Sequence, residues 1–237
     1  MKILVPLAKS KTQFYINQAY IKYLIENDFK PVLIVKPTDI EKYADFCDGL
    51  LLPGGTDIDP IYYGIDNIYS YKTDPERDSF ERELFTKFLY LQKPVFGICR
   101  GFQLIFKELK YNFKDIMNSM KFIQNIDHHE INSINELSRG TCSHYITLTN
   151  SESTVFKEQG GKLSVNSMHH QAVITNTNVY RNDLIKIEAI SDLGIKPGKQ
   201  IIESFSCETY KLFGVQWHPE EILNDKLIGI FFNGNRS

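Results

Sequence analysis

The sequence predicts an α/β fold, with a mostly parallel central sheet, helices on both faces, and added antiparallel strands in the C-terminal half. Three observations predict it. Short apolar runs alternate with helix-like stretches through the N-terminal half, candidate functional groups follow the runs Gly49–Leu52 and Val95–Ile98, and β-rich segments succeed one another from Ser143 to Phe213.

Taken in order, Ile3 to Leu7 reads as a strand, Gln13 to Asn27 as a helix, and Pro31 to Val35 as a second strand. Asp39 to Phe46 reads as a short helix and Gly49 to Leu52 as a short apolar strand. Tyr62 to Pro75, rich in Tyr and Asp, reads as a loop. Asp78 to Leu91 is a helix with acidic residues in its first turn, where the macrodipole favours them. Val95 to Ile98 is the strand before Cys99. From Tyr111 to Gly140 the pattern weakens into polar irregular sequence, expected as a surface loop beside the site. Tyr145–Leu148, Lys162–Val165, Leu184–Ile190, Gln200–Phe205 and Lys211–Val215 read as meandering antiparallel strands, and Pro197-Gly198 as a turn.

A chain of 237 residues can bury a full core, and its length suits one α/β domain spanning residues 1–237. With 27 basic and 29 acidic residues the formal net charge is −2, so no whole-chain attraction to nucleic acid or an anionic membrane is expected. Cys47, Cys99, Cys142 and Cys207 are widely spaced, and the opening apolar run is too short for a secretory h-region. A reducing cytoplasm is the expected location. No apolar stretch approaches the length of a membrane span.

Val95-Phe96-Gly97-Ile98-Cys99-Arg100-Gly101-Phe102-Gln103 places a thiol where a strand-like run meets helix-like sequence, with a glycine two residues to either side. A tight strand-to-helix turn lifts a side chain above the sheet, and the helix N-terminus beneath it favours a thiolate. A buried structural cysteine is the equal alternative for this segment alone. Leu212-Phe213-Gly214-Val215-Gln216-Trp217-His218-Pro219-Glu220 delivers His218 to another strand end, where Pro219 turns the chain and Glu220 can fold back to the imidazole. A thiol nucleophile needs such a base, and the base needs an orienting carboxylate. Pro53-Gly54-Gly55 follows a third strand. In a thiol acyl-transfer enzyme the N–H groups of Gly55 and Arg100 would form the oxyanion hole, although Pro-Gly-Gly by itself is an ordinary turn signal.

These segments together resemble the class I glutamine amidotransferase superfamily, and within it the stand-alone gamma-glutamyl hydrolase branch that includes gamma-glutamyl-gamma-aminobutyrate hydrolases. The resemblance rests on Leu52-Pro53-Gly54-Gly55-Thr56-Asp57-Ile58-Asp59-Pro60 with Tyr63-Gly64, on Arg77-Asp78 with Glu81, and on the Cys99 elbow. Asn166-Ser167-Met168-His169-His170-Gln171 and Gln216-Trp217-His218-Pro219-Glu220 complete it. It implies a flavodoxin-like sheet, a catalytic triad of Cys99, His218 and Glu220, and no cofactor. It also implies a small gamma-glutamyl substrate, with Gly54, Gln103, Asn166, Ser167, His169, His170 and Gln171 shaping its pocket. A homodimer is compatible with it.

Gln103, one helical turn beyond Cys99, lies on the elbow side of its helix and could offer an amide to substrate; related amidotransferases have a glutamine there. For Asn166–Gln171 the plain alternative is a turn held by local hydrogen bonds. The Arg100 guanidinium is expected to pair with Glu81 or Asp78 rather than with substrate. Arg77, Asp78 and Glu81 could equally serve as caps and surface pairs. Adjacent histidines at His128-His129 and His169-His170 lack the spacing of metal ligands, and no metal is expected. The chain departs from its branch after the elbow helix, where Phe106 to Asp115 has neither the usual Gly-Gly nor the Gln-Asp pair.

The expected activity is cleavage of a gamma-glutamyl amide through a glutamyl-thioester, releasing glutamate and an amine. The amine would be of gamma-aminobutyrate type or a nucleotide phosphoramidate. A glutaminase subunit supplying ammonia to a separate synthetase is the less favoured alternative, and a non-catalytic ligand-binding protein on the same scaffold is a third.

Overall fold

The computed structural model describes residues 1–36, 39–70, 72–112, 120–126, 131–149, 153, 155–156, 161–176, 184–192 and 197–235. In the first half β1 (Lys2–Pro6) leads through a small hairpin, β2 (Ala8–Lys9) with β3 (Phe14–Tyr15), into α1 (Gln18–Glu26). Then come β4 (Lys30–Ile34), α2 (Ile40–Phe46), β5 (Gly49–Leu52), α3 (Pro75–Tyr90), β6 (Val95–Ile98) and α4 (Arg100–Asn112). The second half holds β7 (Lys121–Ile123), α5 (Ile131–Ile134), β8 (His144–Leu148), β9 (Lys162–Val165) and β10 (Ala172–Asn176). It closes with β11 (Lys186–Ser191), β12 (Lys199–Cys207), β13 (Leu212–Val215) and α6 (Leu227–Gly234).

The main sheet runs β4-β1-β5-β6-β13-β12-β11-β8-β9, with β10 and β7 branching from β12. Its first five strands are parallel, and every later pairing in it is antiparallel. Register decides where chemistry can sit. Leu52 pairs with Gly97 and Val215 with Ile98, so the chain leaves β5, β6 and β13 side by side at one edge, the carboxyl ends of parallel strands.

Pleating sends alternate residues to opposite faces. Leu4, Leu50 and Leu52 pack with Phe80, Leu84, Phe102 and Ile105 of α3 and α4. Ile3, Val5, Leu51 and Phe96 pack with Tyr23 and Leu24 of α1 and with Phe231 and Phe232 of α6. Helices therefore cover both faces. Among the described residues no helix is long and apolar enough to cross a membrane.

Several elements differ from the sequence reading. Asn17 caps α1 by accepting the Ala19 N–H, so the helix starts at Gln18, and Phe14–Tyr15 belongs to the hairpin. Asp74 caps α3 with Pro75 at its first position, one turn before the expected start. β13, read as a meander strand, joins the parallel core beside β6. The stretch beyond Tyr111 is not simply a surface loop: β7 pairs with β10, a strand the sequence did not reveal, and α5 follows.

Candidate active site

Cys99 follows β6 directly with φ of 51°, a left-handed conformation that costs a non-glycine residue about 1–3 kcal/mol. Its surroundings impose the strain. The Cys99 N–H donates to Val215 O at 2.8 Å, and its carbonyl accepts the Gln103 N–H at 3.1 Å as α4 begins. Glycine is needed on both sides for close backbone approach: a Cβ on Gly97 would lie 2.7 Å from the Gly101 backbone, and one on Gly101 only 2.1 Å from Leu52 O. The thiol is thus held at the mouth of the parallel strands, buried at 7% exposure but lining a cleft.

From the end of β13, a short 3₁₀ turn at Pro219–Glu221 brings Glu220 back to His218, whose Nδ1 lies 2.7 Å from Glu220 Oε1. Burial works against charging this imidazole. The Glu220 carboxylate and a charge and hydrogen-bond interaction with Cys99 outweigh it and push the His218 pKa up to about 10. The arrangement therefore favours the imidazolium form of His218. Elsewhere in the core, burial pushes the Cys47 thiol up to about 11 and raises that of Cys207.

The Gly54 N–H donates to Tyr20 Oη at 2.9 Å. A Cβ on Gly54 would lie 2.9 Å from His218 Cε1 and 3.5 Å from Cys99 Cβ, so this turn touches both members of the pair. Gly55 packs as tightly against Arg77, since a Cβ there would lie 2.1 Å from Nη1. Arg77 donates Nη2 to Gly54 O at 2.9 Å and Nε to Glu81 at 2.6 Å. As expected, the Arg100 guanidinium pairs with Glu81 and Asp78. Arg100 also opens α4, where a backbone N–H has no acceptor within the helix.

The Asn166–Gln171 segment lies next to the site, but most of it faces protein. Asn166 bonds the backbone of His218 and Arg139, the Ser167 N–H donates to Asn132 Oδ1 at 2.9 Å, and His169 Nδ1 lies 3.1 Å from Gln171 O. His170 pairs with Asp57 at 2.9 Å, and Gln171 Nε2 donates to Ser70 Oγ at 2.6 Å. Gln103 donates its amide to Gln171 O and Gln216 Oε1, both at 3.1 Å, and so ties α4 to this segment instead of presenting that amide to a ligand. Met168 is the member of the segment that lines the cleft over Cys99.

That cleft holds about 220 Å³ and is walled by the β2–β3 hairpin, Tyr20, Gly54, Gly55, Arg77, Arg139 and His218. A roomier cleft of about 410 Å³ between Tyr62, Lys107 and Phe122 lies apart from Cys99 and is lined by neither Cys99 nor His218. Tyr20, Asn17 and Arg139 went unnoticed in the sequence. Asn17 falls inside the helix expected over Gln13–Asn27, while Tyr20 reads as an ordinary apolar helix position. Among the described residues no group of three or more His, Cys, Asp or Glu could hold a metal ion; His128, His129 and Glu130 lie outside the described residues.

The protein family described as peptidase C26 matches residues 6–220. The putative glutamine amidotransferase-like protein YvdE of Lactococcus lactis is 28% identical over 240 residues, covering 93% of this chain and 89% of its own. The gamma-glutamyl-gamma-aminobutyrate hydrolase PuuD of Escherichia coli K12 is 26% identical over 203 residues, covering 80% of this chain and 70% of its own. A crystal structure of a glutamine amidotransferase from Thermotoga maritima superposes with a TM-score of 0.58 at 13% identity, covering 98% of this chain and 81% of that one; at this identity the likeness concerns the fold alone.

Proposed function

The chain belongs to the peptidase C26 family, whose members are class I glutamine amidotransferase-like, and from that membership we propose that it hydrolyses gamma-glutamyl amides through a glutamyl-thioester on Cys99. One observation carries the reading. A thiol on a strained elbow shares the carboxyl edge of the sheet with an imidazole that Glu220 holds at 2.7 Å.

In this mechanism the Cys99 thiolate attacks the side-chain carbonyl carbon of the glutamyl group, forming a C–S bond and an oxyanion. The N–H groups of Gly55 and Arg100 stabilise that oxyanion. Protonated His218 gives its proton to the leaving nitrogen as the C–N bond breaks, and the free amine departs. Neutral His218 then takes a proton from water, whose oxygen attacks the thioester; the C–S bond breaks, glutamate leaves, and the thiolate–imidazolium pair is restored. Glu220 orients and stabilises the imidazolium throughout. No cofactor takes part. Gly54 and Met168 contact the glutamyl group, while Asn166, Ser167, His169, His170, Gln171 and Gln103 shape the pocket from behind.

Glutamate release from a panel of gamma-glutamyl amines, including gamma-glutamyl-gamma-aminobutyrate and a nucleotide-linked amide, tests this. Turnover of at least one that disappears in Cys99→Ala supports it; a variant that keeps more than a trace of the wild-type rate removes Cys99 as nucleophile. A second reading, a glutaminase subunit, is favoured by the name of the Lactococcus relative. Hydrolysis of free glutamine that appears only when a second protein is added would select it.

A further inference from the structure

The two amides assigned to the oxyanion come from separate segments, Gly55 from the turn after β5 and Arg100 from the first residue of α4. Both must reach one oxygen at about 2.7–3.1 Å for the hole to work. A turn containing two glycines has little intrinsic preference for one conformation, so something else must hold it.

Glu81 lies between them. Wholly buried on α3, it accepts Arg77 Nε on one carboxylate oxygen at 2.6 Å and Arg100 Nη1 on the other. Arg77 reaches on to Gly54 O, and its Nη1 fills the space beside Gly55 that a Cβ would occupy. Arg100 closes the arrangement through Asp78, whose second oxygen accepts the Asp59 N–H at 3.1 Å. A continuous run of charge-assisted bonds thus joins the turn at Gly54 to the residue after the nucleophile. Two guanidinium and two carboxylate groups are all more than nine-tenths buried. Apolar replacements often match or exceed the stability of such a buried cluster, so stability alone does not account for it.

We propose that Glu81 is a positioning residue that sets the separation of the Gly55 and Arg100 amides and so preforms the oxyanion hole. The inference rests on the acyl-transfer reading of Cys99, but not on the identity of the amide it cleaves.

The test compares two reactions at Cys99, each followed on its peptide by mass spectrometry. Acetylation by p-nitrophenyl acetate passes through an oxyanion and needs the hole; alkylation by iodoacetamide has no oxyanion and needs only the thiolate. Glu81→Gln should slow acetylation by about 10²-fold while leaving alkylation unchanged, and for a gamma-glutamyl amide it should lower kcat without raising KM. If both reactions slow equally, or neither slows, the proposal is overturned. Should Glu81→Gln not fold, Arg77→Lys decides alone: its ammonium still pairs with Glu81 but cannot fork to Gly54 O, and the same split is expected, equal rates refuting it. Wild-type turnover of gamma-glutamyl amides, measured in parallel, bears on the hydrolase reading separately. Its absence would count against that reading and leave the acetylation comparison standing.

Discussion

Asn166 grips the backbone of His218 from both sides. Its Oδ1 accepts the His218 N–H at 2.8 Å, its Nδ2 donates to His218 O at 2.9 Å, and the same amide nitrogen donates to Arg139 O at 2.8 Å. The side-chain amide thus substitutes for a neighbouring strand where the chain leaves β13. His218 is thus fixed through its main chain, and Glu220 holds its ring.

Asn166→Ala should therefore cost about 1–3 kcal/mol, because it leaves buried backbone groups without partners. It should also lower kcat more than it changes KM. Urea denaturation and steady-state kinetics check both, and an unchanged denaturation midpoint would refute the clamp. Asn166→Asp keeps the acceptor, loses both donor bonds, and should be no better.

The His218 pKa of about 10 exceeds the ordinary value of 6.5, because Glu220 and Cys99 outweigh burial. A group raised on folding stabilises the native state fully below its unfolded pKa and loses that contribution as pH rises through the folded one. Stability should therefore fall across pH 6.5 to about 10 more steeply in the wild type than in His218→Asn. The alkaline limb of kcat/KM should lie near the upper end of that window and move to lower pH in Glu220→Gln. An alkaline limb indifferent to Glu220 would contradict the assignment.

Gly101→Ala should be among the most damaging single-methyl changes in the chain, since the new carbon would lie 2.1 Å from Leu52 O on the neighbouring strand. The expected cost is at least about 1–3 kcal/mol, the range for overpacking, because backbone must move. Gly161→Ala meets nothing within 4 Å and should stay within about 0.5 kcal/mol of wild type. Equal thermal unfolding of the two variants would show that the elbow is not packed as described.

Tyr20→Phe removes the acceptor of the Gly54 N–H while keeping the ring in the core. Burial, then Glu220 and Cys99, raise the Tyr20 pKa, so the residue acts as a neutral hydroxyl. The variant should lose about 1–3 kcal/mol of stability and turn over more slowly, with an unchanged alkaline limb. A shift of that limb would instead make Tyr20 a titrating participant.

The strand ends that carry the candidate site are legible in the sequence because they carry punctuation. Apolar runs ending in Pro-Gly-Gly, in a glycine-flanked cysteine and in His-Pro-Glu mark strand ends, and the register puts all three at one edge. The orientation of β13 was not legible. Leu212–Val215 is apolar whichever way its neighbours run, and only the return through β12 sets it parallel to β6. The work of Asn166, Gln103 and Gln171 is hidden for a related reason: a polar side chain at a strand end or in a helix's first turn looks the same whether it faces ligand or protein. By its spacing Arg77 looks like a cap or surface pair, because its hold on Gly54 depends on a turn 23 residues away.

The most direct test of the account is the mass of the protein quenched with acid during turnover of a gamma-glutamyl amide. A mass increase of one glutamyl group, mapped to the Cys99 peptide and absent from Cys99→Ala, is the predicted result. Glutamate release without any adduct on Cys99 under conditions that trap thioesters, or an adduct on another cysteine, would contradict the central claim.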